Sequence, residues 1–138
     1  MKNHSFTILF ILLMSMISTN AFADATGECG VNLTWTYVEA TGILTISGSG
    51  AMYNYYSYYN NSPWDSYRKN IKKAVIEGGV TSIGDAAFAY CFGLASVTIP
   101  NSVTSIGNSA FRGCSDLTSV TIPNSVTSIG EYTFYECI

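Results

Sequence analysis

A chain of 138 residues has room for one domain, and a composition that is 48% hydrophobic and only 11% charged supplies a packed core and excludes a disordered polymer. Six basic residues against nine acidic ones give a net charge of −3, which repels phosphate backbones and argues against a nucleic-acid partner.

Residues 1–23 stand apart. Lys2 and His4 precede the apolar run Phe6 to Ile17, and polar Ser18, Thr19 and Asn20 lead to Ala21-Phe22-Ala23. A charged start, a short apolar middle and small residues spaced A-x-A predict a secretory signal peptide cleaved after Ala23. The run is well short of the roughly 20 residues that a spanning helix needs, so no membrane insertion is expected after cleavage. Cleavage removes His4, the single histidine. A Ser or Cys nucleophile then has no imidazole base, the common His-containing zinc sites are excluded, and no cofactor is expected.

Residues 24–70 read as a β segment. Leu33, Trp35 and Tyr37 alternate with Thr34, Thr36 and Val38, residues 39–42 can turn, and Leu44 and Ile46 alternate with Thr45 and Ser47, which predicts a hairpin. Its expected role is to cap the apolar end of the part that follows. The hairpin leads into MYNYYSYYNNSPW, whose Tyr53, Tyr55, Tyr56, Tyr58 and Tyr59 form a candidate aromatic contact loop, because tyrosine supplies rigid amphipathic contact area. The competing reading is that these rings plug the end of the core. The run YRKNIKK after it holds four of the five basic residues left after cleavage, as a solvated edge or a meeting point for an acidic partner.

From Ile71 onward the chain repeats. VTSIGDAAFAYCFGLASVTIPNS, residues 80–102, matches the next 23 residues at 16 of 23 positions, and VTSIGEYTFYECI follows. Ile71, Ala74, Ile76 and Val80 continue the register backwards as a degenerate copy. A fixed period of this length predicts a solenoid. In each coil Val97 and Ile99, then Val120 and Ile122, alternate with Ser and Thr as a strand with one buried face, and Pro100 and Pro123 end it. Gly84 and Gly107 are expected to turn sharply, Asp85 and Asn108 to cap a short helical turn, and Phe88, Phe111 and Phe134 with Cys91, Cys114 and Cys137 to point into the core.

The pattern SIGxxAFxxCxxLxxVxIPxxV resembles the BspA-type leucine-rich repeat of secreted and surface proteins. CGVNLTWTYVEATGILTISGSGAM, SPW and IKKAVI are similar to the segment that often precedes such repeats. The resemblance implies a leucine-rich-repeat solenoid of parallel strands and short helical turns over residues 71–138, with a role in interaction or adhesion and no catalysis. The third copy departs from the pattern by stopping ten residues short, which exposes a core end and leads us to expect self-association there.

Few features suggest chemistry. The three cysteines spaced by 23 form one column, whose parallel Cβ vectors fit disulfide geometry poorly, so free thiols packed as small hydrophobes are expected. Asp85, Asn108 and Glu131 form another column, with the carboxylates two rungs apart. The GSG of residues 48–50 lacks the rest of a dinucleotide loop. What remains is the outward strand face, Ser96 and Ser119, Thr98 and Thr121, with Lys73 beside them, as a candidate ligand-binding surface. These readings converge on a secreted or cell-surface protein that binds a protein ligand, on host cells or matrix as the resemblance implies. The alternatives are a targeting arm of a larger modular protein or enzyme and, more remotely, an ice-binding solenoid.

Overall fold

The computed structural model describes residues 23–56 and 61–138. The signal peptide, apart from Ala23, lies outside the described residues, as do Tyr58 and Tyr59. Among the described residues nine strands form two sheets. β1 (Ala25–Gly30), β2 (Leu33–Val38), β3 (Ile43–Gly48), β5 (Lys73–Ile76) and β7 (Ser96–Thr98) make the first, in that spatial order. β4 (Gly50–Ala51), β6 (Val80–Ile83), β8 (Ser105–Ile106) and β9 (Ser128–Ile129) make the second.

The first sheet changes character across its width. β1, β2 and β3 run antiparallel, then β3, β5 and β7 run parallel. Lys73 pairs with Ser96 and Val75 with Thr98, while in the second sheet Ser82 pairs with Ser105 and Ser105 with Ser128, so partners lie one sequence repeat apart. A parallel pair requires a long crossover. The residues between β5 and β7 and between β6 and β8 are that crossover, and the chain winds as a solenoid.

Period-two patterning explains the strands. Leu33, Trp35 and Tyr37 are buried on β2, Leu44 and Ile46 on β3, and Ala74 and Ile76 on β5, while their neighbours face outward. β1 is not apparent in its sequence, ATGECG, which carries two glycines; it is held by pairing with β2, from Ala25 opposite Tyr37 to Gly30 opposite Leu33.

The turn side of each coil differs from the expected helical turn. Among the described residues the repeats contain no α-helix. The amides of Ala86, Phe88 and Tyr90 donate to the carbonyls of Asn108, Ala110 and Arg112 in the next coil, and those of Ser109, Phe111 and Gly113 donate to Glu131, Thr133 and Tyr135. The intervening amides of Ala87, Ala89 and Cys91 bond within their own coil. Amides that alternate between two directions cannot continue an α-helix. The chain keeps this geometry by entering the left-handed region twice per coil, at Ala86 and Tyr90, Ser109 and Gly113, and Tyr132 and Glu136. Such a conformation costs about 1–2 kcal/mol for a non-glycine residue, which the bonds to the neighbouring coil offset.

Asp85 and Asn108 are therefore not helix caps. The Asn54 side-chain oxygen accepts from the Asp85 amide at 2.9 Å, Asp85 Oδ1 from the Asn108 amide at 2.8 Å, and Asn108 Oδ1 from the Glu131 amide at 2.8 Å. This ladder ties each coil to the next. The adjacent glycines answer to the same stacking: a Cβ on Gly84 would strike the Tyr53 carbonyl, and one on Gly107 would strike Asp85. Close approach between coils, and not a sharp turn, requires them.

Inside, the aromatic rings form one column. Phe88 and Phe111 lie 5.3 Å apart and Phe111 and Phe134 5.6 Å, their planes nearly parallel, and Trp64 stacks on Phe88 at 5.5 Å as the first member. Trp64 is fully buried, and its Nε1 donates to the Ala87 carbonyl at 2.9 Å. Val97, Ile99, Val120 and Ile122 are half-buried against this core, and so is Cys137. Phe134 departs from the expected core: it is 37% exposed, because within the described residues no ring covers its outer side. Thr133 stands where the earlier copies have Ala87 and Ala110, and its buried hydroxyl donates to the Gly107 and Gly130 carbonyls.

Candidate functional site

The cysteines belong to the core. Cys29, Cys91, Cys114 and Cys137 are unbridged, and Cys114 Sγ donates to the Phe88 carbonyl at 3.1 Å while Cys137 Sγ donates to that of Phe111 at 3.0 Å. Burial pushes the Cys29 and Cys114 thiols up to about 12 and that of Cys91 well above its ordinary value. A thiol held protonated in this way is a poor nucleophile at neutral pH. Among the described residues no group of three or more His, Cys, Asp and Glu could hold a metal ion.

Three surfaces could meet a partner. The first is the outward strand face. Lys73, Ser96, Thr98, Ser119 and Thr121 are all exposed; register carries the face of Lys73, Ser96 and Thr98 onto the antiparallel strands, whereas residues 117–123, expected as a further strand, form none, so Ser119 and Thr121 lie on an unpaired segment. Lys73 is opposite Ile43 and Val75 opposite Thr45, which pairs with Thr36 on β2. A shallow depression of about 410 Å³ between Thr36, Val38, Ile43, Thr45, Ser47 and Glu77 lies on this extension. Ser47 Oγ donates to Glu77 at 2.8 Å along its rim. At the other end, Ser119 borders a second depression of about 290 Å³ with Leu117, Val120, Ile122, Phe134 and Cys137.

The second is the tyrosine loop, which the structure divides. Tyr53 and Tyr56 are 45% and 63% exposed, but Tyr55 is buried at 5%, packed edge-on to Trp64 at 6.0 Å. Burial raises the pKa of the Tyr55 phenol, with the neighbouring Cys29 and Tyr53 adding to the effect. Tyr55 is thus a buried ring packed against Trp64 and, unlike Tyr53 and Tyr56, does not offer its face to a partner.

The sequence pointed to the third only through Arg68 and Lys69, within the basic run YRKNIKK. On the turn side Arg68 lies over the Phe92 ring at 5.9 Å, and Phe92 is 6.1 Å from Tyr90. Arg112 sits between Tyr90 at 5.7 Å and Tyr135 at 5.1 Å. Tyr56 joins Arg68 and Tyr90 around a small cleft. The repeat hides this ridge because its members occupy positions where the copies disagree: Ala89, Arg112 and Tyr135; Tyr90, Gly113 and Glu136; Phe92, Ser115 and Ile138. Columns reveal what stacking demands, and departures from them mark the ridge.

The repeated registers and the aromatic column have a counterpart in a known family: residues 66–138, more than half of the chain, match the model of the BspA type leucine rich repeat region (6 copies). The chain belongs to the BspA-type leucine-rich repeat family. A leucine-rich repeat protein from Eubacterium ventriosum is 32% identical with a TM-score of 0.69, covering 81% of this chain and 35% of its own. A leucine-rich repeat protein from Bacteroides ovatus shares the fold at 24% identity and a TM-score of 0.50, over 80% of this chain and 33% of its own. The chain thus spans about a third of the length of each of these two relatives. A leucine rich cell surface protein from Faecalibacterium prausnitzii is 24% identical, with a TM-score of 0.43, over 85% of this chain and 41% of its own. No curated protein matches the chain in sequence. Among the described residues of this BspA-type chain, no helix is long and apolar enough to cross a membrane.

Proposed function

We propose that this chain is a secreted or cell-surface, non-enzymatic leucine-rich-repeat protein that binds another protein through its strand face, with adhesion to host cells or matrix as the setting. Residues 1–23 act as its signal peptide, residues 24–70 cap the solenoid, and coils of 23 residues fill residues 71–138. The observation that carries the reading is an outward face that register carries from Thr36 and Thr45 through Val75 to Thr98, with Ile43, Lys73 and Ser96 in the row beside it and Ser119 and Thr121 exposed one repeat further along. Repeat solenoids use such extended faces for macromolecules. Apart from Lys73, short, neutral side chains let a partner approach closely with little charge to desolvate.

The test is surface plasmon resonance of the folded chain against a panel of extracellular-matrix proteins, followed by Thr98→Arg with Thr121→Arg. Loss of binding with unchanged thermal melting supports the strand face. Undiminished binding by the double variant places the site elsewhere.

A further inference from the structure

The turn-side ridge is a second surface, with a chemistry unlike that of the strands. Its members touch in sequence, Arg68 to Phe92 to Tyr90 to Arg112 to Tyr135, and they come from three successive parts of the solenoid that only winding brings together. Phe92 remains 39% exposed, and the Arg68 and Arg112 side chains 38% and 35%. Aromatic residues and arginine are the types enriched where proteins bind proteins, whereas Ser and Thr are not.

Charge selects the partner. Of the nine acidic residues, two face the ridge arginines: Asp65 meets Arg68 at 3.2 Å, and Glu136 reaches Arg112 only at 3.6 Å, too far for a bidentate pair. Arg112 Nε is buried without a hydrogen-bond partner, so its guanidinium is incompletely satisfied. Lys69, next to Arg68 in the chain, is exposed, and among the described residues it has no ion-pair partner. A protein of net negative charge therefore sets Arg68, Arg112 and the neighbouring Lys69 along an aromatic ridge.

We propose that this ridge docks an acidic, aromatic-containing segment of a partner protein. Carboxylates meet Arg112, Arg68 and Lys69, and apolar side chains lie on Phe92 and Tyr90. The stacked guanidinium is weakly hydrated, so it gives up water at small cost when a carboxylate arrives. This goes beyond the proposed function, with which it shares only the existence of a protein partner.

The probe is a fluorescein-labelled peptide of alternating Glu and Phe, followed by anisotropy with the full chain at low salt, with a Lys and Phe peptide and phosphatidylserine vesicles alongside. The acidic peptide is expected to bind, to weaken as ionic strength rises, and to lose about tenfold in affinity on Phe92→Ala and on Arg112→Gln, with Arg112→Lys regaining only part. Val31→Ala, at the exposed turn between β1 and β2, is expected to leave acidic-peptide binding unchanged. If Arg112→Gln melts early, Lys69→Glu reads the charge contribution, because Lys69 is exposed and outside the core. Equal binding of the Lys peptide, no binding of the acidic one, or binding only to the vesicles overturns the proposal. Loss of acidic-peptide binding in Thr98→Arg with Thr121→Arg, and not in Phe92→Ala, returns the site to the strand face. Retention of a matrix partner by Phe92→Ala, with no acidic-peptide binding by the native chain, leaves the strand-face reading standing and ends this one.

Discussion

The Cys114 thiol donates to the Phe88 carbonyl 3.1 Å away in the preceding coil, and Cys137 repeats the bond on Phe111. Each cysteine therefore satisfies a backbone acceptor that a small hydrocarbon side chain would leave without that partner. The same geometry points neighbouring sulfurs at carbonyls and not at each other.

The native chain is accordingly expected to react slowly with thiol reagents at Cys91 and Cys114, and fully after denaturation without reductant. Mass spectrometry of alkylated protein reads the difference. Recovery of a Cys91 to Cys114 disulfide overturns it. The pH dependence has a definite sign: folding raises the Cys114 pKa from 9.0 to about 12, so the unfolded chain holds fewer protons in between. Stability contributed by this thiol is complete below about pH 9 and is lost as the pH rises toward 12, which urea melts at increasing pH detect.

Phe111→Ala is expected to cost roughly 3–5 kcal/mol, since the ring is fully buried between Phe88 and Phe134. Phe134→Ala should cost less, because that ring is covered on one side. Ser119→Ala, on the exposed face, should fall within about 0.5 kcal/mol. Comparable urea midpoints for Phe111→Ala and Ser119→Ala contradict the assignment of the two faces.

Two glycines give a paired test of stacking. Gly84→Ala places a Cβ against the Tyr53 carbonyl and must separate coils, so a large loss is expected in thermal melts. Gly78→Ala meets nothing within 4 Å and should be neutral, or stabilising by about 0.4–1 kcal/mol through the unfolded chain. Equal effects refute close approach as the reason for Gly84.

The side-chain ladder predicts that Asn108→Ala costs about 1 kcal/mol, the net worth of the bond to the Glu131 amide, and that Asn108→Asp, which keeps the acceptor, costs little. Equal losses in both variants would show that packing, not the hydrogen bond, governs this position.

Much of the architecture was legible because stacking imposes a period on side chains. Phe88, Phe111 and Phe134 had to recur once their rings were to stack, and the alternating Leu33, Trp35 and Tyr37 identified a strand before any pairing was known. The turn side was misread because its order resides in amides: nothing in the sequence marks that the Ala86 N–H points to Asn108, and Tyr90 in the left-handed region gives no warning in its identity. Tyr55 was grouped with its exposed neighbours because a run of tyrosines has no period to show which ring Trp64 buries. Legibility of the candidate surfaces ran the other way, since the repeat exposed the strand face and concealed the ridge.

The amide ladder on the turn side also sets the mechanics of the molecule. Bonds from Ala86, Phe88 and Tyr90 point along the axis of winding, as do those of both sheets, so a pull spread evenly across two coils loads many bonds at once. A pull on one end of the chain loads them one after another. A coil then peels as a unit and releases 23 residues, roughly 75–80 Å of extended chain, before the next coil bears the load. For a protein tethering two bodies, each such step would lengthen the tether and dissipate force while the remaining coils keep their shape.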